Sequence, residues 1–159
     1  WISGQQMAIM TTKSAISEIE LLKAGWTDSQ DRNYVMDVIK LVKDRSKTLV
    51  DLFEISSIFF EENITYDSEM SKKILNDESR SILVDLYAAL NIEESWKKDS
   101  LETIFDNLMT QHDVGIGKLI KPVRFALTGL SYGPGIFDMM ILLGKDRCLS
   151  RISTNAKGH

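Results

Sequence analysis

Apolar residues recur along this chain mostly three and four positions apart, with few alternating stretches, so the pattern predicts helices throughout. A first helix is expected over roughly Lys13 to Leu22, with Thr11 or Thr12 to cap it, Gly25 to close it and Trp26 following as a core anchor. Asp28 or Ser29 opens a second, in which Tyr34, Val35, Val38, Ile39 and Val42 form one stripe. Lys40, Lys43 and Arg45 then stand where a helix dipole favours cations. Thr48 to Phe60 reads as the next helix, with Leu49, Leu52, Phe53, Ile55 and Phe59 inward and Phe59-Phe60 as core rather than a stacking platform. Ser68 to Leu75 and Glu78 to Leu90 follow, the latter burying Ile82, Leu83, Leu86, Tyr87 and Leu90. Asp99 or Ser100 caps a helix running to about His112, with Leu101, Ile104, Phe105, Leu108 and Met109 as its stripe. Charged and small residues from Ile92 to Asp99 interrupt the apolar pattern, which places a subdomain boundary there: residues 1–95 and 96–159. Thr154 to His159 reads as a disordered tail.

The expected fold is therefore all-α, two packed helical subdomains, and 43% apolar residues in 159 supply ample core for it. No run of about 18 uncharged apolar residues offers a membrane span, and the first residues lack a signal-peptide layout. A soluble, cytosolic chain is expected. Cys148 is the only cysteine and His112 and His159 are the only histidines, which leaves no Cys/His metal cluster and no internal disulfide. Cys148, among Leu142, Leu143, Leu149 and Ile152, reads as a buried inert thiol, and His112 as a polar residue at a helix end. Asn63-Ile64-Thr65 matches a glycosylation sequon only formally.

Charge is unevenly divided. Residues 1–112 hold 12 Lys and Arg against 20 Asp and Glu, whereas residues 113–159 hold 7 against 3. In a chain of net charge −4, a locally basic end points to a particular anionic partner rather than to any polyanion. Lys118, Lys121 and Arg124 follow one another without an acidic residue between them. Gly115 and Gly117 permit a sharp turn, after which Pro122, favoured in a first helical turn, is expected to open a helix with Arg124 near its anion-binding N-terminus. Gly129 then serves as a left-handed terminator, and Gly133-Pro134-Gly135 makes a turn with unobstructed backbone. Gly115-Ile116-Gly117-Lys118 lacks the strand and spacing of a phosphate-binding loop.

Pro122-Val123-Arg124-Phe125-Ala126-Leu127-Thr128-Gly129, Gly133-Pro134-Gly135-Ile136-Phe137 and Leu142-Leu143-Gly144-Lys145 together resemble the C-terminal anticodon-binding region of bacterial glutamyl-tRNA synthetases, class I aminoacyl-tRNA synthetases. Lys43 to Leu49 resembles a basic segment of the same region, and Trp1 to Gln6 the exit from the catalytic half. The resemblance implies a base-reading role for Arg124, a contact surface at Gly133, Pro134 and Ile136, and inspection of the third anticodon base by Arg45 or Lys47; Lys118 and Lys121 belong to the same tRNA-binding set. Tyr132 is a candidate to stack on a base or a plain loop residue. It further implies a monomer whose partners are glutamate tRNA, through its anticodon stem-loop, and its own N-terminal catalytic domain, with no membrane and no DNA. No cofactor is expected in this piece, since ATP and Mg belong to the full-length enzyme, and no catalysis is expected from it alone. The competing reading is a helical protein–protein interaction domain, using Phe53/Phe59 and Ile136/Phe137 as its apolar surfaces.

Overall fold

The computed structural model describes residues 11–22 and 30–157, which form nine helices and, among the described residues, no strand. Trp1 to Gln6, Gly25, Trp26, Asp28, Ser29 and His159 lie outside them. The first three helices, α1 (Thr12–Leu22), α2 (Arg32–Lys43) and α3 (Leu49–Phe60), pack on one another. Thr11 caps α1 by accepting a bond of 3.1 Å from Ser14 N–H. The cap of α2 is Asp31, not Asp28 or Ser29, with Oδ1 accepting at 3.1 Å from Tyr34 N–H. Val35, Val38, Ile39 and Val42 are buried as their spacing requires, each contributing about 1.5–3 kcal/mol of burial. Arg45 falls beyond α2, which ends at Lys43.

The remaining six helices are α4 (Ser68–Ile74), α5 (Asp77–Ile92), α6 (Lys98–His112), α7 (Ile116–Thr128), α8 (Ile136–Leu143) and α9 (Lys145–Lys157). By contacts the chain divides into two compact units, Trp1–Asn63 and Ile64–His159, so the division falls at Asn63 and not between Ile92 and Asp99. The reason is the return of α9, which packs along α5 as well as α7 and α8, giving the helices on both sides of that stretch one core. Trp96 Nε1 donates to Met140 O at 2.9 Å, and Lys145 Nζ donates to Glu93 O at 2.6 Å and Asn91 O at 3.1 Å. The Lys145 ammonium thereby sits at the negative end of α5, where a cation stabilises the helix.

Two further expectations change. The α6 helix begins at Lys98, with Lys97 at the N-cap and no side-chain capping bond, so neither Asp99 nor Ser100 is its cap. Residues 154–157 are the last turn of α9 and not a tail: Asn155 is fully buried and Ile152 packs beside it. His112 Nε2 lies 2.8 Å from Asp85 Oδ2, joining the end of α6 to α5.

Candidate nucleic-acid interface

Pro122 does not open its helix. It lies inside α7, which starts at Ile116 after Gly115, so the chain's basic residues span the helix from its first turn to its second half. A proline there removes the N–H that would pair with the carbonyl four residues back and crowds that carbonyl. Packing offsets this, since Pro122 and Val123 are buried. Arg124 is accordingly too far along α7 to exploit the helix N-terminus. That position belongs to Lys118, with exposed Lys121 one turn on. Lys118 adds a cation where the dipole is already positive, and no acidic residue in the first turn offsets it. Lys118 and Lys121 line one cavity of about 160 Å³ together with Lys73 from α4. Glu78, also in the lining, lies 3.4 Å from Lys118, a largely exposed pair worth about 0–1 kcal/mol.

Arg124 is half-buried, and its Nη1 donates at 2.7 Å to Pro134 O. The guanidinium thus ties α7 to the Gly133–Gly135 turn. Gly133 has φ 143°, a conformation that favours glycine, and Gly135 is the exposed N-cap of α8. Pro134 and Ile136 are buried, Ile136 at 3% exposure, so little of the Ile136 side chain reaches the surface. Tyr132 is exposed at 41%. Of the apolar residues a protein–protein adaptor would use, Phe59 and Ile136 are buried and the ring of Phe137 meets Phe105 edge-on at 4.9 Å, while Phe53 and Phe137 keep part of their surface exposed.

The far end of α7 is held by side chains that the sequence pattern did not single out. Gly129 closes the helix at φ 72°, its N–H donating to Phe125 O at 2.7 Å. Tyr66 Oη donates to Ala126 O at 2.6 Å, and buried Arg151 donates from Nη1 to Leu127 O at 2.8 Å. Asn155 Nδ2 donates to Arg151 O at 2.8 Å and, more distantly, to Ala126 O at 3.4 Å. The bonds to Ala126 O and Leu127 O satisfy terminal carbonyls that α7 itself leaves without partners. Their only signature in sequence is that Arg151 and Asn155 occupy the stripe shared by Cys148 and Ile152. Burial pushes the Tyr66 phenol above its ordinary pKa, partly offset by Asn155 and Arg151. Burial likewise pushes the Cys148 thiol up to about 12, with Arg151 and Arg147 opposing, which makes it inert as expected.

In the first unit, Arg45 and Lys47 are exposed in the α2–α3 turn. Their backbone is fixed while their side chains face solvent. Arg45 N–H donates to Val42 O at 3.0 Å, buried Ser46 donates from Oγ to the same carbonyl at 2.9 Å, and Lys47 N–H donates to Asp51 Oδ2 at 3.2 Å. Asp51 N–H in turn donates to Thr48 Oγ1 at 3.1 Å, capping α3. Among the described residues no three of His, Cys, Asp and Glu are grouped as metal ligands would be, and no helix is long and apolar enough to cross a membrane.

The family described as "Anticodon binding domain" matches residues 11–156. The glutamate–tRNA ligase 1 of Bartonella tribocorum is 35% identical over 126 residues, which cover 79% of this chain and 26% of that protein. For the glutamate–tRNA ligase 1 of Bartonella bacilliformis the identity is 30% over 154 residues, 96% of this chain and 32% of the relative. A solved glutamate tRNA ligase from Elizabethkingia meningosepticum shares the fold with a TM-score of 0.78 at 23% identity, over 98% of this chain and 31% of its own. The chain therefore spans about a quarter to a third of the relatives' length. An all-helical chain with a basic, glycine-terminated helix and a family match across nearly all its described residues belongs to the anticodon binding domain family, and it is similar over most of its length to a part of glutamate–tRNA ligases.

Proposed function

We propose that this chain is the C-terminal anticodon-recognition module of a cytoplasmic, monomeric glutamate–tRNA ligase, with the anticodon stem-loop of glutamate tRNA as its ligand. The observation that carries the reading is the Arg124 guanidinium bonded to Pro134 O at the Gly133–Gly135 turn, on the helix that also presents Lys118 and Lys121. Lysines hold phosphates as point charges and position the RNA without reading it. Arg124 has a planar fork of five N–H donors, suited to paired acceptors on a base edge, where a good bidentate contact discriminates by about 1–3 kcal/mol in duplex grooves. Its bond to Pro134 sets the direction of that fork. Arg45 or Lys47 inspects a further anticodon base from the first unit.

Activation of glutamate with ATP and Mg, and its transfer to the tRNA terminus, fall to the rest of the ligase. The module contributes by favouring the docked tRNA only when the anticodon fits, which is selection through differential binding. Binding to a fluorescent glutamate-tRNA anticodon stem-loop, at low and moderate salt, tests this against a hairpin with all three anticodon bases replaced. Preference for the cognate loop that survives moderate salt is expected. Equal binding to both would reduce the interface to a charge contact and refute base reading.

A further inference from the structure

The second unit contains another cavity, of about 140 Å³, lined by Tyr66, Ser68, Ser71, Lys72, Leu75 and Arg80. None of the residues proposed to touch the anticodon lines it. Ser68, Ser71, Lys72 and Leu75 recur at helical spacing, so one face of α4 and the residue after it make one wall; Arg80 enters from α5 and Tyr66 from the segment before α4. The volume is well above the roughly 30 Å³ that a water molecule occupies in the liquid.

Two polar groups of this lining are buried without a hydrogen-bond partner among the described residues: Ser71 Oγ, on a residue only 8% exposed, and Arg80 Nε. Native structures hold few such groups, because each forfeits its hydration and gains nothing in return. Guanidinium and ammonium groups only donate, and a serine hydroxyl rotates to donate where an acceptor is offered. The lining thus supplies two cations and three hydroxyls, of which that of Tyr66 is already donated to Ala126 O, with no carboxylate among its six side chains. Glu69 lies outside the lining, and its oxygen is 3.8 Å from Lys72 Nζ with both side chains largely exposed, so that pair is a weak competitor.

We propose that this pocket binds a phosphate group, with Arg80 and Lys72 donating to its oxygens and Ser71 and Ser68 completing the shell. The group is either free inorganic phosphate or a phosphodiester of bound RNA, and the proposal holds whether or not the anticodon reading does. Phosphate titrated into the ¹⁵N-labelled chain, against chloride at matched ionic strength, should shift the Arg80 Nε–H signal, which is identified by its absence in Arg80→Lys. Ser71→Ala should leave folding unchanged without phosphate and weaken phosphate binding about tenfold, the loss of one charge-assisted hydrogen bond. A hairpin that moves the same signal, competing with phosphate, assigns the site to RNA; a signal moved by phosphate alone assigns it to the free ion. The proposal is overturned if neither ligand moves the Arg80 signal, or if Ser71→Ala and Lys72→Gln both leave the affinity unchanged.

Discussion

Replacing Gly129 with alanine should damage the second unit by an amount that its geometry sets. Gly129 closes α7 at φ 72°, in the left-handed region, where an L-residue costs about 1–2 kcal/mol. A β-carbon there would also lie 2.7 Å from the backbone oxygen of Thr65, closer than such atoms approach, with Tyr66 Cδ1 at 3.7 Å. The obstacle is main chain, so it yields only if the segment entering α4 moves, and overpacking of this kind costs about 1–3 kcal/mol. Together the two terms give roughly 2–5 kcal/mol, or a fall in Tm of about 10 °C or more for a unit of this size. Urea unfolding followed by circular dichroism would measure it. Gly117→Ala supplies the contrast, since Gly117 lies in the first turn of α7 with nothing within 4 Å of its missing β-carbon. That change should be neutral or stabilise by up to about 1 kcal/mol. Gly129→Asn separates the two terms, because asparagine tolerates the left-handed region but carries the same β-carbon. The reasoning fails if Gly129→Ala lies within about 0.5 kcal/mol of the parent, or if Gly129→Asn is as stable as the parent.

Other expectations concern recognition and titration. Arg124→Ala should weaken a cognate anticodon hairpin more than a base-substituted one, by about 1–3 kcal/mol of lost discrimination in a fluorescence titration, whereas equal losses would make Arg124 a phosphate contact. Arg45→Ala should relax discrimination at one anticodon base; if discrimination persists there and Lys47→Ala abolishes it, Lys47 is the reader. Cys148 should resist a thiol reagent at pH 8 in the folded chain and react once the chain is unfolded in urea. Its folded pKa lies above the unfolded value, so the unfolded state ionises first, and the stability it contributes is complete below about pH 9 and lost progressively as pH rises towards about 12. Urea midpoints from pH 8 to 11 should therefore fall less steeply in Cys148→Ala than in the parent, and equal slopes would refute the assignment.

Features governed by neighbours along the chain were legible in the sequence. The 3.6-residue period located α2, α3 and α5, Thr48 was read at the start of the helix it caps, and Gly129 as a left-handed terminator, because stripe, cap and terminator each involve residues within a turn of one another. The basic residues of the functional end were legible too, as composition. Where they act was a matter for the tertiary structure. Pro122 reads locally as a helix start, yet its burial within α7 compensates the broken hydrogen bond and carries the helix back to Ile116, which moves Arg124 away from the N-terminus and puts Lys118 there. Lys73 joins Lys118 and Lys121 only because α4 packs against α7, and Arg151, Asn155 and Tyr66 become the clamp on α7 only once α9 has packed beside it. The same return of α9 onto α5 makes a helix of a polar sequence ending and carries the second unit back to Ile64. Local pattern determines helices because propensity and capping act over a few residues; which helices share a core, and which cations share a cavity, is determined by burial between residues far apart in the chain.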